Sequence, residues 1–468
     1  MRKKMEISCF NSSGIYGKRG KEITPDVVYR VSRAFGQLSK AKTIVVGSDN
    51  QISSEKLKAS VCDGLRDASI EVLDIGAVSS EEVRFATRYY EADAGICVIG
   101  YHHPAYNGLK FLGIDSLEES APELLRGVRL IAESGSFINP IGKGVCVNRS
   151  VLPDYISYLL SYIQLENLEP LKIVVNSNNV PASRVINQIE KRFKVRDIPV
   201  TFVKLENQDD EPLLTNNSGS LKDTLDATSD AIMEHEADFG IAWDHDFCRC
   251  FLFDESGRQI EGYYIVGLLA ELFLKADADQ KIISDPRAYW NTEAIVRRNG
   301  GIPVKSRVGD DYIRKNMRKE NAIYGGDMAS YHYFRDFDYG SSGMIPWLLI
   351  AELISSSGER LSALLMNRID AHPISGEIHV NTKDRREAIQ RVYEFYHYKA
   401  SRIDKIDGLG MEFESYDAAW RFNIRASDFQ PGLKLNVESE ADSELVGRKI
   451  TEISRILAGY TPVYAPVY

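Results

Sequence analysis

Short β-branched segments alternate with helical segments along most of this chain, and no other feature constrains its fold more. Residues 42–49 (KTIVVGSD) predict a buried strand, residues 53–69 a helix with Ser53 or Ser54 as its N-cap, and residues 71–78 (EVLDIGAV) the next strand. Such alternation indicates a mostly parallel sheet covered by helices. The pattern begins again near residues 171 and 262, and after about residue 371 short segments predict an α+β domain with an antiparallel sheet.

The restarts divide the chain into four predicted domains, at residues 1–150, 151–256, 257–370 and 371–468. A length of 468 residues exceeds what one ordinary hydrophobic core accommodates. No low-complexity linker separates the segments. We therefore predict several α/β domains followed by one α+β domain.

Charge and cysteine content exclude several classes of protein. The formal net charge is -10, without a basic stripe, which argues against nucleic acid and anionic membranes as partners. Six cysteines without disulfide-like spacing, and the lack of a long apolar run, predict a reduced protein of the cytoplasm.

Four unusual loops follow predicted strands, at residues 101–108, 244–249, 325–332 and 425–434. In α/β units, ligand sites form at the carboxyl ends of strands. One such loop in each domain predicts a single cleft lined by all four domains.

Several segments, among them AKTIVVGSD, CRCFLFDESG, IEGYYIVGLLAE, AIYGGDM, SSGMIPWLLIAELI and LNVES, resemble the α-D-phosphohexomutase family, most closely its bacterial phosphomannomutase members. The resemblance covers nearly the whole chain. It implies three mixed α/β sandwich domains plus a C-terminal α+β domain around one central cleft. It also implies transfer of a phosphoryl group between O1 and O6 of a hexose, through a phosphoserine and a bisphosphate intermediate.

The first loop departs from the family pattern Thr-Ala/Gly-Ser-His-Asn-Pro. Tyr101 stands at the phosphoserine position, followed by His102 and His103. A phenol reaches further than a serine hydroxyl and fills the space that the phosphate needs. We expect Tyr101 to plug the vacated phosphate site, with phosphotyrosine as the alternative.

The metal loop, Asp-Gly-Asp-x-Asp-Arg in the family, keeps the carboxylates Asp244 and Asp246 but has Cys248 in place of the third. Mg²⁺ prefers oxygen ligands, so weak Mg²⁺ binding is expected. With one histidine, such as His245 or His102, these groups could form a zinc-like site. The alternative for Cys248 is a small buried residue that fills space.

The sugar and phosphate loops also depart from the pattern. Asp327 replaces a Glu beside Met328, and Lys434 replaces an Arg in a loop that keeps Arg425 and Ser427. Further candidate ligand-binding or catalytic residues in the same regions are Arg249, Arg287, Arg307, Asp310, Asp311 and Arg421. The positive charges of the arginines among them, with Arg425 and Lys434, predict attraction of a sugar-like or anionic small molecule.

From these substitutions the sequence predicts a protein without mutase activity. The first hypothesis is a non-catalytic paralogue, a pseudoenzyme that binds such a ligand or a protein partner. The alternative is a repurposed enzyme that uses the Asp, His and Cys side chains on a related substrate. An active phosphomannomutase, converting mannose 1-phosphate to mannose 6-phosphate, ranks third.

Overall fold

The computed structural model describes residues 5–11, 14–100, 105–113, 121–177, 181–205, 221–244, 246–414, 419–427 and 431–459. The helices in these ranges are α1 (Pro25–Leu38), α2 (Ile52–Asp67), α3 (Ser80–Tyr89), α4 (Ala121–Ser134), α5 (Leu152–Leu160), α6 (Pro181–Val195), α7 (Leu221–His235), α8 (Gly262–Ala276), α9 (Trp290–Arg298), α10 (Asp310–Glu320), α11 (Ile345–Ser357), α12 (Leu361–Ala371), α13 (Arg385–Tyr396) and α14 (Ser443–Leu457). None of these helices combines the length and apolar character needed to cross a bilayer.

The strands of the described ranges are β1 (Gly14–Lys18), β2 (Thr43–Ser48), β3 (Glu71–Ala77), β4 (Ala94–Ile99), β5 (Tyr106–Gly113), β6 (Cys146–Asn148), β7 (Leu171–Asn176), β8 (Val200–Lys204), β9 (Phe239–Trp243), β10 (Cys250–Phe253), β11 (Lys281–Ser284), β12 (Ile302–Lys305), β13 (Tyr324–Gly326), β14 (His332–Phe334), β15 (Gly340–Ser341), β16 (Ile378–Val380), β17 (Arg402–Asp404), β18 (Leu409–Glu414), β19 (Ala419–Ala426) and β20 (Leu433–Ser439).

These strands form separate sheets in chain order. The first has the order β1-β5-β4-β2-β3-β6, with a parallel centre and antiparallel β1 and β5. The second, β10-β9-β7-β8, and the third, β12-β11-β13-β14-β15, are also mixed. In the last, β16-β20-β19-β18-β17, every pair is antiparallel. The α/β class with a C-terminal antiparallel α+β domain is thereby confirmed.

Local sequence explains some helix starts and not others. Helix α3 begins with a capping box in which Ser79 and Glu82 satisfy each other's backbone N–H groups. The N-cap prediction for α2 is wrong: the N-cap is Gln51, without a side-chain hydrogen bond, and Ser53 and Ser54 lie in the first turn. The Ser54 hydroxyl instead accepts a hydrogen bond from Asn107 Nδ2 at 3.3 Å, a partner distant in sequence.

By internal packing the chain forms two compact units. Unit 1 comprises Met1–Gln259 and Ser342–Gly358, and unit 2 comprises Ile260–Ser341 and Glu359–Tyr468. Helix α11 therefore belongs to unit 1, where the buried Trp347 packs edge-on against Phe202 and Trp243 Nε1 donates to Gly343 O at 2.7 Å. The four predicted domain boundaries stay predictions.

Candidate functional site

In unit 1, a tight loop joins β9 to β10 and positions the predicted metal carboxylates. Asp244 is buried, and its carboxylate accepts hydrogen bonds from Arg249 Nε at 2.6 Å and Arg249 N at 3.2 Å. The turn needs the left-handed conformation of Phe247 (φ 59°), whose buried carbonyl lies against Gly343. A side chain at position 343 would clash with that carbonyl, so the glycine is required for this close approach.

The pKa of Asp244 reflects the crowding of negative charge in this loop. Burial and the nearby Asp246 raise the pKa of Asp244 to about 7, against the opposing effect of Arg249. Two neighbouring carboxylates that resist simultaneous ionisation form the environment that a divalent cation stabilises. Asp244 and Asp246 therefore fit the hard cation that the family resemblance implies.

The Cys248 thiol makes its hydrogen bonds with groups other than the two carboxylates. Its buried sulfur lies 3.3 Å from Ser80 Oγ, at the start of α3, and accepts a hydrogen bond from Lys110 Nζ of β5 at 3.7 Å. Burial raises the pKa of the thiol to about 12, so it is neutral at pH 7. Among the described residues, Asp244, Asp246 and Cys248 do not bring their ligand atoms close enough together to form a metal-binding group.

The first loop begins beside the end of β2. Gly100 N donates to Asp49, and a side chain at position 100 would collide with the Gln51 amide. Burial raises the pKa of Asp49. The predicted residues of this loop, Tyr101, His102 and His103, lie outside the described residues, as does His245. The pairing of β4 with β5 nevertheless places Lys110 opposite Cys97, close along the chain to this loop.

In unit 2, a buried ion-pair network organises the sugar loop. Arg287 donates through Nε and Nη2 to both oxygens of Asp285, at 3.0 and 2.8 Å, and its Nη2 lies 3.4 Å from Asp327. Asp327 accepts from the backbone N–H groups of Ala329 and Tyr331 at 2.9 and 3.1 Å. Burial raises the pKa of Asp327 to about 6, although Arg287 opposes the shift. The Asp327 carboxylate therefore stabilises the turn over residues 327–331 through these two hydrogen bonds.

The phosphate-loop cations converge on one carboxylate. Arg425 of β19 and Lys434 of β20 lie opposite each other in register, and both bind Glu377. Arg287 Nη1 lies 3.4 Å from the same carboxylate. These cations overcome the effect of burial and lower the pKa of Glu377 to about 2. Glu377 is thus bound to the same cations that an incoming anion would bind.

The remaining predicted residues of unit 2 occupy different environments. Arg307 is half-exposed, 3.9 Å from Asp407, and stacks on Tyr312. Asp310 starts α10 and lies 3.6 Å from Arg314. Met328 and Ser427 are buried.

Arg421, which the sequence suggested as a ligand cation, is unavailable for that role. Its guanidinium is fully buried and donates to the carbonyls of Pro286 and Arg287, at 2.6 and 2.9 Å. It lies 3.3 Å from Glu438. Arg421 therefore holds the segment that carries Arg287.

Sequence reasoning missed Lys110, Asp285 and Glu377. They lie in the segments NGLKF, KIISDPR and GEIHVN. The sequence signal for each of these residues was a charged side chain next to an apolar strand segment. What makes these residues part of a site is their partners, which are distant in sequence.

Models of phosphoglucomutase/phosphomannomutase α/β/α domains I, II and III match residues 8–125, 153–257 and 261–372. The chain belongs to the phosphoglucomutase/phosphomannomutase family. It is 46% identical to a phosphomannomutase of Salmonella montevideo over 96% of this chain and 99% of that protein, and 45% identical to one of Escherichia coli over 97% and 99%. A crystal structure of a family protein from Burkholderia thailandensis, 23% identical, superposes with a TM-score of 0.81 over 98% of this chain and 99% of that chain.

Family membership corrects the functional prediction. Relatives 43–46% identical over nearly the full length are phosphomannomutases, so the predictions of a pseudoenzyme, and of a repurposed enzyme in its place, are wrong. The error came from equating a changed loop side chain with a lost reaction. In the described residues, nothing indicates loss of activity.

Proposed function

We propose that this protein is a phosphomannomutase that interconverts mannose 1-phosphate and mannose 6-phosphate. The similarity to curated phosphomannomutases over almost the whole chain carries the proposal. Two sites, each within its own unit, supply the chemistry that the reaction needs.

The phosphate that is not being transferred would bind at Arg425 and Lys434. Both already hold a carboxylate, Glu377, and they outnumber it. A phosphate dianion brings twice the charge and three acceptor oxygens, so it competes for the same donors. Substrate binding by this route requires Glu377 to release at least one of its partners.

Asp244 and Asp246 would hold a Mg²⁺ ion. The ion, when bound, neutralises charge on phosphoryl oxygens. Lys110 supplies a fixed positive charge next to the same loop, from the strand that follows residues 101–104. Arg249 orients Asp244 through two hydrogen bonds and keeps the carboxylate in place.

The phosphoryl carrier belongs to the loop at residues 101–103. Tyr101 offers a phenolic oxygen, and His102 and His103 offer imidazole nitrogens; all three groups form covalent intermediates in enzymes. The bond from phosphorus to the carrier breaks as O6 of mannose 1-phosphate bonds to phosphorus, and the O6 hydroxyl proton passes to the carrier atom that is released, which gives the 1,6-bisphosphate and the free carrier. Transfer of the 1-phosphoryl group back to the carrier then releases mannose 6-phosphate.

The test is turnover of mannose 1-phosphate by the full chain, with Mg²⁺ and a catalytic amount of hexose 1,6-bisphosphate, followed by ³¹P NMR. We expect the mannose 6-phosphate signal to grow, and mass spectrometry of the protein to find a phosphoryl group on one residue of 101–103. A Tyr101→Phe variant separates the phenol from the two imidazoles as carrier. No turnover in the wild type, at protein concentrations comparable to substrate, would refute the proposal.

A cytoplasmic location and a sugar phosphate as the principal partner are part of this proposal. The six cysteines are free thiols in the structure, as a reducing compartment favours. The net charge of -10 disfavours nucleic acid and anionic membranes as partners. A protein partner would be detected by light scattering of the protein at its native concentration in a cell extract of its source.

A further inference from the structure

A second cluster of ligand-type side chains lies in unit 1, on α2, β3 and β6. The ligand atoms of Cys62, Asp74 and Cys146 all lie within 4.8 Å of one another. None of the three belongs to the loops of the candidate functional site. Cys62 is buried in the domain core, whereas Cys146 is exposed at the edge strand β6, which gives an entry path from solvent.

The backbone around the cluster is firmly positioned. Strand β6 pairs with β3 in parallel, with Cys146 opposite Val72, so Cys146 and Asp74 share one face of the sheet. Arg66 at the end of α2 accepts a hydrogen bond from Gly144 N through its carbonyl (2.8 Å) and donates to Gly144 O from Nε (3.1 Å). A side chain at 144 would strike the backbone of Ile70, so the strand approaches α2 this closely only with glycine there.

We infer that Cys62, Asp74 and Cys146 form a binding site for a soft divalent cation of the zinc class, with water as the fourth ligand. Two sulfur ligands disfavour Mg²⁺ and Ca²⁺ and favour zinc. Tetrahedral zinc with Zn–S bonds of about 2.3 Å places its ligand atoms slightly under about 4 Å apart. The cluster reaches that geometry with side-chain shifts of about 1 Å.

Charge balance supports this assignment. Lys58 lies one turn before Cys62 on α2, is buried, and places Nζ 3.1 Å from Asp74 Oδ1. Two thiolates and one carboxylate carry three negative charges; a divalent cation offsets two of them, and the Lys58 ammonium, which also pairs with the exposed Glu55 at 3.2 Å, lies beside the third. Lys58 and the Gly76 N–H, at 2.9 Å, both hold Oδ1 and so leave Oδ2 of Asp74 for the metal.

The test is zinc titration of the full chain, stripped of metal and kept reduced, in competition with a chromophoric chelator. We expect about one zinc per chain, and a Co²⁺ adduct with the intense visible absorption of tetrahedral thiolate coordination. Cys146→Ser should weaken binding at least about 100-fold, and because Cys146 is exposed this variant should fold. Cys9→Ser, at a buried thiol outside the cluster, is the control and should bind as the wild type does.

Either of two results would overturn the inference. One is zinc binding of equal strength in Cys146→Ser and wild type, which would place the metal elsewhere. The other is no zinc binding by the reduced protein while Cys62 and Cys146 join in a disulfide under a thiol oxidant such as glutathione disulfide. Mutase turnover is not a readout here, so the outcome does not depend on the proposed function.

Discussion

Two carboxylates, one in each unit, have pKa values shifted in opposite directions: Asp244 is buried, whereas the Glu377 side chain is 28% exposed. Loss of solvent acts to raise the pKa of both carboxyl groups, and the neighbouring charges decide the net shift. In unit 1 the neighbour Asp246 adds to that effect and the pKa of Asp244 rises to about 7. In unit 2, Lys434, Arg287 and Arg425 surround Glu377 and lower its pKa to about 2. The surroundings of Asp244 have too little positive charge, which favours binding of a cation. The surroundings of Glu377 have an excess of positive charge, which favours binding of an anion.

The largest effect on Mg²⁺ binding is expected from neutralising the Asp244 carboxylate. Asp244→Asn should weaken Mg²⁺ binding by on the order of 100-fold or more, because even changes to groups that orient a ligand cost 10–100-fold. Turnover measured against Mg²⁺ concentration checks this. Asp254→Asn, at a buried turn carboxylate after β10, is the matched control and should leave the Mg²⁺ dependence unchanged. If turnover of Asp244→Asn depended on Mg²⁺ as turnover of the wild type does, Asp244 would not be a Mg²⁺ ligand.

The pH dependence of Mg²⁺ binding follows from the same raised pKa. Below pH 7 Asp244 is protonated in the metal-free protein, and the ion must displace that proton. Mg²⁺ affinity should therefore rise about tenfold per pH unit up to about pH 7 and then level off. Calorimetric titration at several pH values around 7 measures it. A Mg²⁺ affinity that does not change with pH would show that Asp244 is already ionised below pH 7, and the raised pKa of Asp244 would be wrong.

In unit 2, two substitutions should act in opposite directions on phosphate binding. Lys434→Gln should weaken mannose 1-phosphate binding about tenfold, since it removes one charge-assisted hydrogen bond. Glu377→Gln should strengthen binding, because the cations lose their internal competitor. Isothermal titration measures both, with Lys449→Gln, in a Lys–Glu pair of α14, as control. Weaker binding in Glu377→Gln would mean that Glu377 positions the cations rather than competes for them.

Glu377→Gln should also change stability towards acid. A depressed pKa contributes stability that is present above the usual glutamate pKa and is lost as the pH falls towards 2. The variant should lack that part of the acid transition and be less stable than wild type at pH 7. Urea unfolding at pH 7 and pH 3 compares the two proteins.

The smallest effect is expected at Cys248. Its neutral thiol forms hydrogen bonds with the side chains of Ser80 and Lys110. Cys248→Ser should change Mg²⁺ affinity by less than about threefold, because a hydroxyl keeps both contacts. The same Mg²⁺ titration decides this. A tenfold loss would restore Cys248 as a metal ligand.

The sequence was sufficient for the fold because apolar β-branched runs and amphipathic helices are local signals. Strand β4 is buried along its whole length, and its six apolar or small residues predicted that directly. It was not sufficient for the N-cap of α2, the orientation of Cys248 or the role of Glu377. Each of these depends on a partner distant in the chain: Asn107, Lys110 and Arg425. A spacing rule contains no information about such partners.

The placement of helix α11 has a consequence for the gene. The chain leaves unit 2 after Ser341, contributes Ser342–Gly358 to unit 1, and returns at Glu359. Glu81 in unit 1 accepts hydrogen bonds from the Ser342 hydroxyl and from Gly343 N, at 3.0 Å in the second case. A fragment ending at Gln259 would therefore expose the surface that α11 covers and lose the partners of a buried glutamate. The coding sequence cannot be cut at the boundary between the units to give two autonomous proteins, and duplication or exchange of one unit during evolution would have to carry this helix along.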